Sequence, residues 1–250
     1  MKTSRTFGLI GRSLKHSFSK GYFSKKFSEE QITDCAYQLF ELPDIKAFEK
    51  LVADVPLAGL NVTIPYKEEV MTYLHGLDAS AEKVGAVNVI RFEPGPKLTG
   101  FNSDYYGFKT SLLNWLPASH NFSALILGTG GASKAVCAVL EDLEIPFMLV
   151  SRSIRQGSIT YEYLNQNPHV VGDAPLIINT TPLGMYPYVD QCPDLPYHMI
   201  GDQHYLYDLI YNPETTLFME KGINKGARAK NGLEMLHLQA ERSWEIWNEC

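Results

Sequence analysis

The stretch FSALILGTGGASKAVCAVLED, residues 122–142, decides how this chain folds. It begins with an apolar run of strand length, passes through a glycine turn at 128–131 and continues as a helix-forming segment rich in Ala, Val and Leu. A buried strand, a tight turn and a helix in this order form the first half of a βαβ unit. Further apolar runs of strand length follow at 147–150, 176–179 and 206–209. The second half of the chain is therefore predicted to form a parallel α/β sheet.

The first half of the chain contains the same kinds of segment in another order. Strands are predicted at 6–11, 36–41, 57–64, 86–92 and 97–102, the last two as a hairpin across EPGP. Helices are predicted to begin at 21–27 and to occupy 44–55 (with Asp44 as N-cap), 66–75, 105–116 and, near the C-terminus, 233–248. The pattern changes in or beside 105–116, so the sequence predicts two domains.

The charge balance and the apolar runs limit the class of partner. The 250 residues carry 22 Lys and Arg against 28 Asp and Glu, a formal net charge of −6, and no run of Lys or Arg exceeds two. The chain therefore lacks the basic clusters that are typical of proteins that bind nucleic acids or anionic membrane surfaces, and a small-molecule partner is expected. No segment approaches the roughly 18 apolar residues of a membrane span or shows a signal-peptide pattern, which predicts a cytoplasmic protein.

The cysteines and histidines show no metal-binding or disulfide pattern. The four cysteines have no CxxC or Cys/His spacing, and the seven histidines form no HExxH motif. His16, in the loop after the first strand, is interpreted as a loop residue. We therefore expect reduced thiols and no metal. The sequence leaves the oligomeric state open between a monomer and a homodimer.

The glycine turn has the composition of a dinucleotide-binding site. It consists of Gly128, Thr129, Gly130, Gly131 and Ala132. Glycines let a pyrophosphate approach the backbone, and the start of the following helix supplies N–H groups and the positive end of its dipole. Ser133 stands where the third glycine of GxGxxG would be. The position between a buried strand and a helix favours dinucleotide binding over a plain connection.

The end of the next predicted strand indicates which dinucleotide binds. NAD-binding proteins usually carry a carboxylate about 20 residues after the glycines, where it accepts from the ribose 2′-hydroxyl. This chain has Ser151, Arg152, Ser153 and Arg155 there instead. Guanidinium and hydroxyl groups suit a 2′-phosphate, so the sequence favours NADP over NAD.

Polar residues in the first half provide candidates for a substrate site. Ser17 and Ser19 are two apart after the first strand, a spacing that suits a carboxylate ligand as well as a solvated turn. Lys67 is predicted at the start of a helix, where the dipole disfavours its ammonium form and so favours proton transfer. Asn88 and Asp104 add an amide and a carboxylate. Spacing alone does not bring these groups together.

The order of the motifs resembles that of the shikimate dehydrogenases along the whole chain. The motifs are the serine pair at 17–19, NVTIPYKEE from residue 61, GAVNVI from 85, NSDYYG from 102, LGTGGASKAV from 127, INTTPLGM from 178, YDLIYNP from 207 and NGLEMLHLQA from 231. The combination of NVTxPxK, AVN and NxD carries the resemblance. The usual NTD of the family is NSD here, in which Ser103 keeps the hydroxyl.

The resemblance implies a fold, a reaction and a set of site residues. It implies a substrate-binding domain of residues 1–104 plus 230–250 and a Rossmann-like NADP-binding domain of residues 105–229. The implied reaction is the reversible NADPH-dependent reduction of 3-dehydroshikimate to shikimate, a step of aromatic amino acid biosynthesis. Lys67 and Asp104 match the catalytic pair. The implied substrate-binding residues are Ser17, Ser19, Thr63, Lys67, Asn88, Asp104, Tyr211 and Gln239, and the implied cofactor-binding residues are Gly128 to Ala132, Ser151 to Arg155, Thr180, Leu209 and Gly232.

Two alternatives to this function remain open from the sequence. One is a quinate/shikimate dehydrogenase with relaxed use of NAD and NADP, which the serine pair does not exclude. The other is a non-catalytic regulator that senses NADPH or shikimate, although a sensor has no need of the proton-transfer pair Lys67 and Asp104.

Overall fold

The structure is a computed structural model that describes residues 5–15, 17–93, 95, 97–118 and 122–249. His16 and two prolines of the predicted EPGP turn lie outside the described residues. The chain divides into two compact units, which we call unit 1 (Met1–Tyr106 with Gln239–Cys250) and unit 2 (Gly107–Leu238). The predicted bounds, 1–104 plus 230–250 and 105–229, place the second junction earlier in the chain. The α/β class predicted from the sequence is confirmed.

Unit 1 is built on a six-stranded mixed sheet. Its strands are β1 (Arg5–Gly11), β2 (Cys35–Glu41), β3 (Leu57–Val62), β4 (Gly76–Leu77), β5 (Val89–Phe92) and β6 (Leu98–Phe101). The strand order is β2-β1-β3-β5-β6-β4, in which β1 pairs in parallel with β2 and β3, whereas β5 is antiparallel to β3 and β6. The antiparallel pairing of β5 and β6 confirms the predicted hairpin. The helices are α1 (Phe18–Glu29), α2 (Ala47–Asp54), α3 (Ala79–Val84) and the first residues of α4 (Ser103–Trp115).

Two apolar clusters cover the sheet of unit 1. In one, the last helix, α9 (Leu233–Asn248), contributes Trp247, whose ring stacks on Phe7 at 4.8 Å between centroids and whose Nε1 donates to the Ile90 carbonyl. The other cluster surrounds Tyr66 and Phe48, both essentially buried. Large aromatic side chains therefore fix the end of the chain against β1 and β5.

Unit 2 is a six-stranded parallel sheet. Its elements are β7 (Ala124–Leu127), α5 (Gly131–Asp142), β8 (Phe147–Ser151), β9 (Ser158–Thr160), α6 (Tyr161–Gln166), α7 (His169–Gly172), β10 (Leu176–Asn179), β11 (Tyr205–Asp208), α8 (Leu217–Ile223) and β12 (Arg228–Lys230). The order β12-β11-β10-β7-β8-β9 is that of a dinucleotide-binding doubly wound sheet, whose switch point lies between β7 and β10. The predicted parallel sheet is therefore confirmed.

The helix predicted at 66–75 is wrong. Residues 64–68 form turns, and only a short 3₁₀ helix, Glu69–Tyr73, follows. The Val70 N–H donates to the Tyr66 carbonyl as in an α-helix, but the Met71 N–H already donates three residues back, to Glu68. The apolar spacing of Tyr66 and Val70 is that of a helix, but it reflects burial of both side chains in one apolar cluster.

Other predicted bounds shift, and some elements were missed. Helix α2 begins at Ala47, after a turn in which the Asp44 carboxylate accepts from the Lys46 N–H, so Asp44 is not the helix N-cap. Asn88 lies just before β5 rather than within a strand at 86–92. The elements that were not predicted are β4, α3, β9, α6, α7, α8 and β12, all of them short. Among the described residues, no helix is both long and apolar enough to cross a membrane.

Candidate functional site

Unit 1 contains an ion pair between two of the predicted residues. Lys67 Nζ lies 2.6 Å from Asp104 Oδ2, and the side chains are 23% and 18% exposed. Lys67 comes from the turn after β3, and Asp104 from the first turn of α4. The structure therefore brings together an ammonium and a carboxylate that are 37 residues apart in sequence.

Hydrogen bonds to neighbouring segments of unit 1 fix the turn that carries Lys67. The Val87 N–H donates to the Lys67 carbonyl at 2.7 Å, and the Thr63 N–H donates to the Ile10 carbonyl at 2.9 Å. The buried Tyr66 phenol donates to the Leu42 carbonyl at 2.7 Å. Because no regular helix begins here, the helix dipole invoked for Lys67 from the sequence is absent. Its close electrostatic partner is the Asp104 carboxylate instead.

Asn88 and Gln239 lie around Ser103, the residue before Asp104. The Ser103 N–H donates to Asn88 Oδ1 at 2.7 Å, and Asn88 Nδ2 donates to Ser103 Oγ at 3.1 Å. Ser103 Oγ also lies 3.4 Å from Gln239 Oε1, near the point where α9 enters unit 1. Two predicted substrate-binding amides thus converge on one buried serine, which was not predicted to belong to the site.

A buried hydrogen-bond network extends from these amides towards the serine pair. The Tyr37 phenol donates to Asn61 Oδ1 at 2.7 Å, and Asn61 Nδ2 donates to Ser243 Oγ at 3.0 Å. Burial raises the pKa of Tyr37, an effect that the nearby Ser19 side chain opposes. Tyr37, Asn61 and Ser243 were missed because their partners lie far away in sequence, and only their polarity within apolar segments hinted at a role.

The remaining predicted substrate residues occupy different places. Ser17 and Ser19, both partly exposed, lie immediately before and within the first turn of α1. Thr63 is the residue after β3, and its methyl group lies where a Cβ on Gly11 would clash, at 2.6 Å. Tyr211 belongs to unit 2, where burial raises the pKa of its phenol.

Unit 2 contains a cleft of about 530 Å³ at the carboxyl ends of β7, β8 and β10. This is the switch point at which open α/β sheets bind ligands. The volume lies within the range of small-molecule sites. Eight predicted cofactor residues line the cleft, namely Gly128, Thr129, Gly130, Ser151, Arg152, Ser153, Arg155 and Thr180. Five further lining residues were not predicted, namely Val150, Tyr161, Thr181, Pro182 and Leu183.

The glycines of the turn meet two different requirements. Gly128 has φ +108°, and a Cβ there would lie 2.8 Å from Thr180 Oγ1, so the turn needs glycine for its own conformation. Gly130 has φ −90°, and a Cβ there would meet no protein atom within 4 Å. Its missing side chain leaves the floor of the cleft open to a ligand. The helix α5 begins immediately afterwards, with Gly131 and Ala132 exposed in its first turn.

The basic loop after β8 faces the same cleft. Arg152, Ser153 and Arg155 are exposed, and Arg155 Nη1 donates to Thr129 Oγ1 at 3.4 Å. The buried Ser151 Oγ accepts from the Ser153 N–H at 3.4 Å. None of the described lining residues is a carboxylate. The residues present therefore fit a dinucleotide with an extra phosphate on its ribose.

Four predicted cofactor residues are not among the described lining residues, namely Gly131, Ala132, Leu209 and Gly232. The last two contact each other. A Cβ on Gly232 would lie 2.1 Å from the Leu209 carbonyl oxygen, and the Gly232 N–H donates to the Ile210 carbonyl at 3.0 Å. Only glycine allows the chain after β12 to approach the end of β11 this closely.

A buried carboxylate supports the loops around the cleft. Asp208 Oδ1 accepts from Asn179 Nδ2 at 3.0 Å, and Asp208 Oδ2 accepts from the Thr216 hydroxyl at 2.6 Å. Complete burial of the carboxylate raises the pKa of Asp208 to about 6, against the opposing effect of these hydrogen bonds. Asn179 Oδ1 in turn accepts from the N–H and hydroxyl of Thr181, which lines the cleft. The network thus connects the ends of β10 and β11.

Comparison with known proteins covers both units. Residues 9–90 match the family model described as the shikimate dehydrogenase substrate binding domain. A shikimate dehydrogenase (NADP(+)) of Clostridium beijerinckii is 42% identical over 98% of this chain and 92% of that protein. Another, from Methanococcus aeolicus, is 32% identical over 98% of this chain and 92% of that protein.

Solved structures show the same architecture. A chorismate mutase/shikimate 5-dehydrogenase fusion protein from Clostridium acetobutylicum superposes with a TM-score of 0.87 at 36% identity, over 98% of this chain and 92% of that chain. The shikimate 5-dehydrogenase of Thermus thermophilus, in complex with NADP(H) and shikimate, superposes with a TM-score of 0.83 at 25% identity, over 98% and 93% of the two chains.

Proposed function

Because this chain belongs to the shikimate dehydrogenase family, we propose that it catalyses the reversible NADPH-dependent reduction of 3-dehydroshikimate to shikimate. The resemblance drawn from the sequence motifs is thereby confirmed at the level of the family. The observation that carries the proposal is the ion pair of Lys67 and Asp104 in unit 1. Ser103, the residue before Asp104, contacts the amides of Asn88 and Gln239. This arrangement supplies a proton-transfer group next to donors for substrate hydroxyls.

Lys67 supplies the proton in the reaction. NADPH, when bound, supplies the hydride to the carbonyl carbon of the substrate. The carbonyl oxygen then needs one proton to become the hydroxyl of shikimate, and the Lys67 ammonium is the group in unit 1 that donates it. In the direction of oxidation, the neutral amine of Lys67 accepts the hydroxyl proton.

Asp104 positions the proton donor. At 2.6 Å from Lys67 Nζ, its carboxylate fixes the direction of the lysine side chain. The same carboxylate accepts from a substrate hydroxyl. We propose that Asp104 orients both partners and acts as a relay rather than as an independent base.

The other residues of unit 1 bind the substrate in this proposal. The hydroxyls of Ser17 and Ser19 donate to the substrate carboxylate, because both lie at the start of α1, where an anion is favoured. Thr63, Asn88 and Gln239 contact the ring and its hydroxyls. Tyr211 of unit 2 is assigned to the substrate from the family motif YDLIYNP alone.

The cofactor proposed for unit 2 is NADP. The relatives are named shikimate dehydrogenase (NADP(+)). The cleft is lined by Arg152 and Arg155, and none of its described lining residues is a carboxylate. These two guanidinium groups bind the 2′-phosphate, while the backbone from Gly128 to Ala132 binds the pyrophosphate. Thr180 lines the same cleft, and Leu209 with Gly232 borders the nicotinamide.

A spectrophotometric assay of nicotinamide reduction tests the proposed function. The purified chain is given shikimate with NADP⁺, then NAD⁺ in place of NADP⁺, then quinate in place of shikimate. We expect the highest kcat/KM with shikimate and NADP⁺. Comparable turnover of quinate with NAD⁺ would support the relaxed quinate/shikimate dehydrogenase instead, and binding of both ligands without turnover would support the sensor.

We also propose a cytoplasmic location and either a monomer or a homodimer. The location is supported by the three described cysteines, Cys35, Cys137 and Cys192, which are all free thiols, as expected in a reducing compartment. Cell fractionation tests the location, and sedimentation equilibrium separates the two oligomeric states.

A further inference from the structure

Ser103 occupies the point at which the two amides of the proposed substrate site meet. Its side chain is fully buried, and its Oγ lies within 3.4 Å of polar atoms from Asn88, Gln239 and Ser243. It precedes Asp104 directly and opens α4. One hydrogen-bond partner is enough to satisfy the hydroxyl of a buried serine. The three partners around Ser103 Oγ therefore indicate a further role for this side chain.

The backbone of Ser103 fixes which way the Asn88 amide faces. Of the two terminal atoms of the Asn88 amide only the oxygen accepts a hydrogen bond, so the bond from the Ser103 N–H identifies the atom at 2.7 Å as Asn88 Oδ1. Asn88 Nδ2 then donates one hydrogen to Ser103 Oγ at 3.1 Å. The second hydrogen of Nδ2 points away from this contact.

The proton of the Ser103 hydroxyl has two acceptors within reach besides Asn88 Oδ1, which already accepts from the Ser103 N–H. These are Gln239 Oε1 at 3.4 Å and Ser243 Oγ at 3.2 Å. The proton of Ser243 is engaged with the Gln239 carbonyl at 2.8 Å, so Ser243 Oγ meets Ser103 as an acceptor. An amide of Gln239 whose oxygen faces Ser103 turns its NH₂ group to the opposite side.

We propose that Ser103 is a positioning residue for the substrate. Its backbone N–H and its hydroxyl together orient the amide of Asn88, and its hydroxyl orients the amide of Gln239, so that the N–H groups of both amides face the oxygens of a bound polyol. The proposal rests on the proposed function of the same site. It adds a residue that contacts the two amides on the side opposite the bound substrate. Its hydroxyl acts on substrate binding through Asn88 and Gln239 and takes no part in proton transfer.

Steady-state kinetics of Ser103→Ala test the proposal. We expect the KM for shikimate to rise about tenfold, the amount that loss of such a hydrogen bond produces, with a much smaller change in kcat and in the KM for NADP⁺. Ser103→Thr, which keeps the hydroxyl, should restore the KM for shikimate to within about threefold of wild type. In a Gln239→Ala background, Ser103→Ala should raise KM by less than it does alone.

Ser111→Ala is the matched control. Ser111 is also fully buried, lies on the same helix and bonds two side chains, accepting from Tyr207 and donating to Glu234. It should leave the KM for shikimate unchanged. Should Ser103→Ala not fold, Ser103→Cys keeps the size of the side chain and replaces the hydroxyl with a weaker donor, and the same rise in KM is expected.

Three results decide the matter. A folded Ser103→Ala or Ser103→Cys variant with the wild-type KM for shikimate overturns the proposal. A Ser103→Thr variant as impaired as Ser103→Ala also overturns it, because packing rather than the hydroxyl would then matter. Wild-type protein inactive on shikimate with either dinucleotide contradicts the proposed function itself, so the two failures are distinguishable.

Discussion

The ion pair of Lys67 and Asp104 is partly shielded from water, which strengthens the interaction between the two charges. A fully exposed pair is screened by solvent and contributes little, whereas these side chains are 23% and 18% exposed. Removal of either partner leaves the other charge in a poorly solvated place. The motifs around Lys67 and Asp104 predicted both residues, but the 2.6 Å contact between them depends on the fold.

Arg152 is predicted to decide between the two dinucleotides. Arg152→Asp exchanges a guanidinium that suits a 2′-phosphate for a carboxylate that repels it and accepts from a ribose 2′-hydroxyl. The ratio of kcat/KM for NADPH to that for NADH should fall at least about tenfold, as measured by initial rates with each dinucleotide.

Arg228→Asp is the control for this change. Arg228 is an exposed arginine of the same unit whose guanidinium donates to the Asp202 carbonyl at 3.1 Å, and its replacement changes the net charge equally. It should leave the ratio unaltered. An unchanged ratio in Arg152→Asp would show that this arginine is only a solvated loop charge.

Among the elements, the turn between β7 and α5 contains two glycines with different expected roles. Gly128 is expected to affect the stability of the fold, and Gly130 is expected to affect cofactor binding. Gly128→Ala places an L-residue at φ +108° with its Cβ 2.8 Å from Thr180 Oγ1. Strain and overpacking together should lower the free energy of unfolding by about 2–4 kcal/mol, measured by urea titration.

Gly130→Ala, two residues later, should leave stability intact. Its Cβ would meet no protein atom within 4 Å, but it would occupy the floor of the cleft. We expect an unchanged melting temperature and a KM for NADP⁺ raised about tenfold, because the pyrophosphate loses its close approach to the backbone. A normal KM for NADP⁺ in this variant would place the cofactor elsewhere.

The elements also show where prediction from sequence fails. Long apolar runs such as β7 and β10 were predicted at nearly their observed bounds, because burial on both faces of a parallel sheet leaves a continuous pattern. The region 64–73 failed because the helical spacing of Tyr66 and Val70 arises from tertiary packing, with little helical backbone. Short elements such as β4 and β9 carry too few residues to show any period.

At the scale of the whole molecule, the buried Asp208 should make stability depend on pH. Its pKa is raised from near 4 to about 6 in the folded protein. Between these values the folded state holds a proton that the unfolded state has released. Stability from this group is therefore complete below about pH 4, is lost as the pH rises to about 6 and is constant above that.

Asp208→Asn removes this titration and keeps the shape of the side chain. The free energy of unfolding of wild type minus that of the variant should fall by up to about 3 kcal/mol between about pH 4 and pH 7, measured by urea titration at each pH. A difference that stays level across this range would show that Asp208 does not titrate as its burial predicts.

The site as a whole was only partly predictable. The order of the motifs pointed to Lys67, Asp104 and the arginine loop, since each lies within a stretch whose residue types are unusual for its place. The contacts of Tyr37, Asn61, Ser103 and Ser243 were not predictable, because each of them joins segments that are distant in sequence. The motifs contain Asn61 and Ser103 but do not show what these side chains contact. These supporting contacts depend on the fold of unit 1.

The most direct test of the proposed mechanism is a comparison of wild type with Lys67→Ala in the oxidation of shikimate by NADP⁺. If Lys67 moves the proton, kcat should fall by about 10²- to 10⁴-fold while the KM for shikimate changes far less. A Lys67→Ala variant that keeps a kcat near that of wild type would contradict the proposed role of Lys67 and, with it, the mechanism.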